Sequence, residues 1–457
     1  MPHIIRIDWP HFGLPDTPPD LSLAECRTRR AALRAAAAKR KFDALVIYAD
    51  REHFANLQWL TGFDPRFEEA VLVVTPDRAL LIAGNECLTY TEVSPLVRSG
   101  DVAVVLCASL SLMSQPRGTP RLPDLLQRAL PKGGKLGAIG WKWFGPDEVD
   151  DPATALDVPA FVADPLRAHG ARVENATDLM MHPSYGLRSR VDAAGIARLE
   201  FSSAAAANAL RRMVFSFHEG MSDFAAYEAA HVSGLPLGCH STFATGARSA
   251  QGLSGPTGQH LIRGNPISFN ICHWGSNICR AGWLARGRSD LPADAQDYLE
   301  VFAGPYVRAM SLWCSMMRPG VKGGTVHEAM FDALPADPFN LFLNPGHLIG
   351  MDEWLSSPIY EGSNEPLASG MALQMDVIPS HPVYGSIRME DGYVIAEAAL
   401  RADLTRDFPE VMERCQLRAR FMREVIGMDV PECLLPLADT CGIVAPWLLD
   451  PAQVIAL

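Results

Sequence analysis

Two sets of residues in this sequence have the types and spacing of a chemical site. The first lies in residues 268–282 (SFNICHWGSNICRAG), which reads as two short strands around a Gly-Ser-Asn turn. It carries Asn270, Cys272, His273 and Cys279, and no carboxylate. The second is spread along the chain: His347 between glycines in GHLIG at 346–350, then Asp376 and Glu390 in otherwise apolar strands, with Arg388 two residues before Glu390. An unpaired carboxylate in an apolar strand is costly. Asp376 and Glu390 therefore require His347, Arg388, a cationic substrate or a metal as partner. Strand alternation puts Arg388 and Glu390 on one face. It also separates residues 270 and 272 from 271 and 273. Cys272 then joins Asn270 at the pocket while His273 points away. Cys and His are zinc's preferred ligands, but buried apolar thiols are common and inert, and these are read as packing. A hydrolytic site also needs a group of near-neutral pKa to move a proton, and His240, His260 and His347 are the candidates.

These residues must be positioned by a chain of 457 residues, which implies two domains. Hydrophobic residues make up 48% and charged residues 20%, the balance of a soluble globular protein. Lys and Arg number 40 against 52 Asp and Glu, with no basic block. Nucleic acid and anionic membranes are thereby excluded as expected partners. The start, MPHIIRIDWPHFGLP, has neither a basic n-region nor a long apolar h-region, so no signal peptide is expected. No run of roughly eighteen apolar residues suggests a membrane span. Ten scattered cysteines without a C-x-x-C pair read as reduced thiols of a cytoplasmic protein.

The spacing predicts a helix over 21–41 and strands over 44–49, 70–75, 79–84 and 102–108, an α/β domain with a covered sheet. This unit is expected to span 1–185, ending in the turn-rich HPSYGLRSRVD. The second, 186–457, opens with helices over 192–212 and 222–232. It continues through the hairpin, with helices near 295–317 and 325–333, and then strands and turns to about 400. Helices segregated from antiparallel strands imply an α+β domain. A helix over 409–425 and a proline-punctuated tail close the chain.

Four segments in this order carry a family resemblance: FANLQWLTGF before AVLVV; RLEFSSAAAANALRR followed by HEGMSDFAAYEAA; NPGHLIG; and GMALQMDVIP with SIRMEDGYVIAE behind it. Together the chain resembles the creatinase/prolidase/aminopeptidase P superfamily. The fold implied is a creatinase-type α/β N-terminal domain plus an α+β pita-bread catalytic domain. In metal-dependent members the resemblance implies five protein ligands for two divalent ions. The positions that match are Asn270, Ala281, His347, Asp376 and Glu390, so both hairpin carboxylates are missing. Hard divalent ions need oxygen ligands and charge compensation. The pattern therefore resembles creatinase, the metal-free member, and neither metal nor cofactor is expected.

Two further positions depart from the relatives. The proton-shuttling His falls on Leu253, and the second His of metal-dependent members falls on Trp354. The resemblance also implies a homodimer in which Arg66 and Phe67 close the partner's site. The expected function is metal-independent hydrolysis of a C–N bond in a small amide, guanidine or urea-like substrate, with His347, Asp376 and Glu390 catalytic. Asn270, Arg388, Cys272, Trp354, His240, His260, Arg66 and Phe67 would line the pocket. A metal-dependent Xaa-Pro aminopeptidase or prolidase, and a catalytically silent binding homologue, are the alternatives.

Overall fold

The computed structural model describes residues 2–457, which divide into two compact units, 20–189 and 2–19 with 190–457. The sequence-based division at 185 differs in one respect. The first nineteen residues sit with the second unit, because strand His3–Arg6 pairs antiparallel with Gln453–Ala456 and Arg6 meets Asp450 at 2.7 Å.

The unit 20–189 is built on a six-stranded sheet in the order Ala103–Leu106, Ala79–Ala83, Ala70–Val74, Ala44–Ala49, Lys135–Ile139, Arg172–Asn175. Ala70–Val74 runs antiparallel to both neighbours and the outer pairs are parallel. Ala44–Ala49 and Ala70–Val74 are buried throughout, as continuous apolar runs in a covered sheet must be. Leu23–Lys39 forms the predicted helix. It starts there because Ser22 and Glu25 make a capping box that satisfies otherwise orphaned N–H groups.

In the second unit, Asp192 caps helix Ala193–Ser216 through the Gly195 N–H. The helix runs one turn beyond the predicted 212, since Met213 and Val214 continue its buried face. It packs on the hairpin Pro266–His273 and Ser276–Trp283. The hairpin turn is Trp274-Gly275, one residue earlier than the sequence suggests, because Gly275 takes a φ of 86° that favours glycine. The segment 398–407, expected to close a strand region, is instead helix Ala398–Asp407.

Two four-stranded sheets organise the rest. One runs Arg388–Glu390, Ser276–Trp283, Pro266–His273, Phe243–Thr245, and the other His347–Leu348, Ala372–Gln374, Gly392–Ile395, Leu434–Pro436. Residues 388–395 belong to both sheets, and the crossing point is Asp391. Its fully buried carboxylate meets Arg280 at 2.8 Å and accepts from Thr440 Oγ1 at 2.6 Å. This buried pair fixes where the chain changes sheets and so places Glu390 at their junction. No helix among the described residues is long and apolar enough to cross a membrane.

Candidate active site

The hairpin register sets the floor of the site. Asn270 lies opposite Cys279 and Cys272 opposite Asn277, while Cys279 pairs with Glu390 and Ala281 with Arg388. Alternation therefore puts Asn270, Cys272, Asn277, Cys279, Ala281, Arg388 and Glu390 on one face. His273 lies on the other, buried with both ring nitrogens unpartnered, and burial lowers its pKa to about 4. It is a neutral core residue there, as the alternation implied.

The second sheet supplies the opposing groups. Gly346 precedes His347 with a φ of 115°, and a Cβ there would lie 2.8 Å from the Gln374 carbonyl; only glycine fits so close an approach. His347 is fully buried and pairs with Gln374 across the strands. Its Nδ1 faces the Leu348 carbonyl at 3.1 Å, so that nitrogen carries the proton. Nε2 is left 3.5 Å from Glu353 Oε1 and 3.9 Å from Asp376 Oδ2. The Trp354 ring stacks on the imidazole at 4.1 Å. Tyr306 ties both carboxylate strands together, donating to the Val377 carbonyl at 3.1 Å and accepting the Met389 N–H at 2.9 Å.

The polar atoms form one network. Asn277 Nδ2 donates to Glu390 Oε1 at 2.9 Å and to Glu353 Oε1 at 3.3 Å. Asn270 Nδ2 donates to Asn277 Oδ1 at 3.2 Å, and Asn270 Oδ1 accepts the Thr242 N–H at 2.8 Å. Asp376 Oδ1 and Arg388 Nε are buried without a hydrogen-bond partner, and His347 Nε2 has only the ion-pair approaches of Glu353 at 3.5 Å and Asp376 at 3.9 Å.

Charge in this enclosure is tightly coupled. Burial alone would lower the His347 pKa, but the adjacent Glu353 carboxylate, with Asp376 behind, raises it above the ordinary histidine value. Burial alone would raise Glu353, yet His347 holds it below the usual range. Burial raises Asp376 against the pull of Arg388 and His347. Glu390 is raised well above normal by burial and by the charges of Asp376 and Glu353. Burial opposes the charged form of Arg388, but Cys279, Asp376 and Glu390 beside it keep the guanidinium protonated.

The structure thus brings together His347, Asp376, Glu390, Asn270, Arg388, Cys272 and Trp354. Two sequence-based candidates fall elsewhere. His240 is exposed with Nε2 2.9 Å from the Leu253 carbonyl, and His260 is exposed with Nδ1 2.7 Å from the Gly220 carbonyl. Both are held by backbone carbonyls, and Leu253 is itself 75% exposed. Arg66 and Phe67 belong to the unit 20–189, where Arg66 lies over the Tyr90 ring at 4.7 Å and Phe67 is half exposed. Sequence reasoning missed Glu353, Asn277, Gln374 and Cys239. Asn277 was within reach, since it is two residues from Cys279 and therefore on the same face. Glu353 sits in a loop with no periodicity, six residues after His347, and carries no comparable signal.

Residues 29–144 match the family model of the Creatinase/Prolidase N-terminal domain. Among solved structures, a dipeptidase PepE from Mycobacterium ulcerans is similar at 20% identity and a TM-score of 0.63, covering 82% of this chain and 95% of that one. The prolidase from Pyrococcus horikoshii is 15% identical with a TM-score of 0.62, covering 81% and 95%. Residues 29–144 therefore carry a creatinase/prolidase-type amino-terminal domain, and most of the chain shares the fold of these dipeptidase and prolidase structures. The N-terminal domain of FACT complex subunit SPT16 from chickpea shares the fold of this superfamily too, at 14% identity and a TM-score of 0.58, covering 82% and 95%. No curated protein matches the chain.

The two-ion site of the superfamily's metal-dependent members does not fit these residues. Ala281 offers no donor atom. Asn270 offers one neutral oxygen, already committed to the Thr242 N–H. The Arg388 guanidinium shares the Glu390 face and its charge already acts on Asp376 and Glu390, so further cations there would be repelled. A single ion is a separate matter, because His347, Glu353 and Glu390 each offer a ligand atom within 4.8 Å of the others.

Proposed function

We propose that the chain is a metal-independent hydrolase of a C–N bond in a small amide, guanidine or urea-like compound. The observation that carries this reading is Arg388, on the same strand face as Glu390 and acting by its charge on Asp376 and Glu390. A cation fixed by the chain neutralises carboxylates that would otherwise need metal. Three carboxylates, Glu353, Asp376 and Glu390, still face only Arg388 and His347 as cations, which suits a cationic or urea-like substrate group. Held by the Leu348 carbonyl, His347 presents Nε2 for proton transfer to the leaving nitrogen and for positioning water. The Asn270 and Asn277 amides supply the neutral dipoles that a developing tetrahedral centre requires. Glu353 is the positioning residue for the imidazolium.

The test is turnover of amide, guanidine and urea-like compounds, with and without chelator, alongside elemental analysis. Well under one equivalent of Mn, Co, Zn or Fe per chain, and a rate unchanged by chelator, are expected. The second reading is a metal-dependent Xaa-Pro peptidase, favoured by the His347, Glu353 and Glu390 cluster. Xaa-Pro cleavage that chelator abolishes and one tightly bound ion restores would establish it. Absence of turnover with a bound small molecule would mean a binding homologue. For Arg66 and Phe67 we propose the composite role of a homodimer. Sedimentation at micromolar concentration is expected to give a dimer, and a clean monomer would remove that role.

A further inference from the structure

Two thiols at the edge of this site have no part in the proposed hydrolysis. Of the ten free cysteines, Cys272 is 2% exposed on the hairpin, and Cys239 is partly exposed on the segment leading to Phe243–Thr245. The two segments run together, with the Trp274 N–H donating to the Pro236 carbonyl at 3.0 Å. A Cβ on Gly238 would lie 2.9 Å from Cys272 Sγ, so the buried sulfur packs directly under the backbone that carries Cys239. Asn270 Nδ2 donates to Cys239 Sγ at 3.3 Å. The surroundings are asymmetric. Neighbouring Cys272 and Asn270 hold the Cys239 thiol below its ordinary pKa, while Cys272, beside Cys239, shut off from solvent and donating to the His273 carbonyl at 4.0 Å, is held in the thiol form. An accessible attacking sulfur beside a buried second thiol is the arrangement that thiol–disulfide exchange requires. Cys433, the other partly exposed cysteine, instead donates to the Met317 carbonyl at 3.6 Å.

We propose that Cys239 and Cys272 form a thiol-modification centre: a low-molecular-weight disulfide reacts at Cys239, and Cys272 resolves the adduct into an internal disulfide. The Cys239 thiolate attacks one sulfur of RSSR, forming Cys239–S–S–R and releasing RS⁻. Cys272, giving up its proton to solvent, attacks Cys239 Sγ and expels the second RS⁻. Two electrons pass from the protein thiols to RSSR, which leaves as two RSH. Because Asn270 joins Cys239 to Asn277, oxidation alters a hydrogen bond at the floor of the candidate site.

The experiment uses the full chain in glutathione buffers from fully reduced to fully oxidised, followed by alkylation and non-reducing peptide mapping. In the wild type, oxidised glutathione is expected to remove two alkylatable thiols per chain, as one Cys239–Cys272 disulfide that dithiothreitol reverses. Cys272→Ser is expected to stop at a glutathione adduct on Cys239, and Cys239→Ser to leave Cys272 reduced. The proposal is overturned if both wild-type thiols stay alkylatable in oxidised buffer. It is equally overturned if the adduct on Cys239 persists unresolved, or if the bridge joins other cysteines. Should a serine variant fail to fold by circular dichroism, the wild-type map alone decides. The readout is independent of turnover, so its failure is distinct from failure of the hydrolase reading.

Discussion

Replacing His347 by alanine is expected to lower turnover by about 10²- to 10⁴-fold, the usual range for one acid–base group, with a smaller change in substrate binding. The split between the two follows from the role, because a proton donor acts mainly in the transition state. Asp376→Ala and Glu390→Ala are expected to weaken binding as well, since they hold charge in the ground state. Steady-state kinetics on the substrate found by the compound screen makes the check, and a His347→Ala enzyme with wild-type kcat would refute the assignment. The direction of the pH dependence follows from the raised His347 pKa. A group whose folded pKa is raised contributes stability that is complete below its unfolded value, roughly 6.5 for histidine. That contribution is lost as the pH rises through the folded value. If His347 donates its Nε2 proton, kcat falls over that same window. Glu353→Gln removes the charge that sustains the shift, so the falling limb should move to lower pH.

Arg388→Met is expected to destabilise the second unit by about 1–3 kcal/mol, below the usual cost of breaking a contact-distance buried ion pair because Arg388 acts on the carboxylates only through its charge. The thioether fills much of the volume but removes the guanidinium charge that offsets Asp376 and Glu390. Both carboxyls already have raised pKa values. Their contribution is therefore complete below the unfolded carboxylate range, about 4, and is lost as the pH rises through the folded values. Without Arg388 those values rise further, so the deficit should shrink as the pH falls towards 5. Urea denaturation at pH 7 and pH 5 measures this. A loss under about 1 kcal/mol at pH 7, or the same loss at both, would show that Arg388 does not neutralise the pair.

Much of this protein is legible without coordinates where a local rule governs. Apolar runs such as ALVIYA and AVLVV have no conformation that buries them better than a covered sheet. Alternation alone sets Cys272 beside Asn270 and turns His273 away. The chemistry of Asp376 and Glu390 follows from the cost of an unpaired carboxylate, and their link to Arg388 from strand period. Other features depend on chain closure, which no local pattern encodes. The amino-terminal strand joins the second unit only because its partner lies some 450 residues later in sequence, at Gln453–Ala456. His240 and His260 match the residue type for proton transfer, yet carbonyls at Leu253 and Gly220 hold them elsewhere. Glu353 reaches His347 because the loop after GHLIG folds back over the imidazole with Trp354 stacked on it. Gly238, next to Cys239, packs on the Cys272 sulfur although the two lie 34 residues apart in sequence (272 − 238). Sequence determined which residue types are available and which face each strand presents, because those depend on neighbours along the chain. Tertiary structure decided which carboxylate meets the histidine and which backbone packs on the Cys272 sulfur, because those contacts form where two sheets and a loop converge.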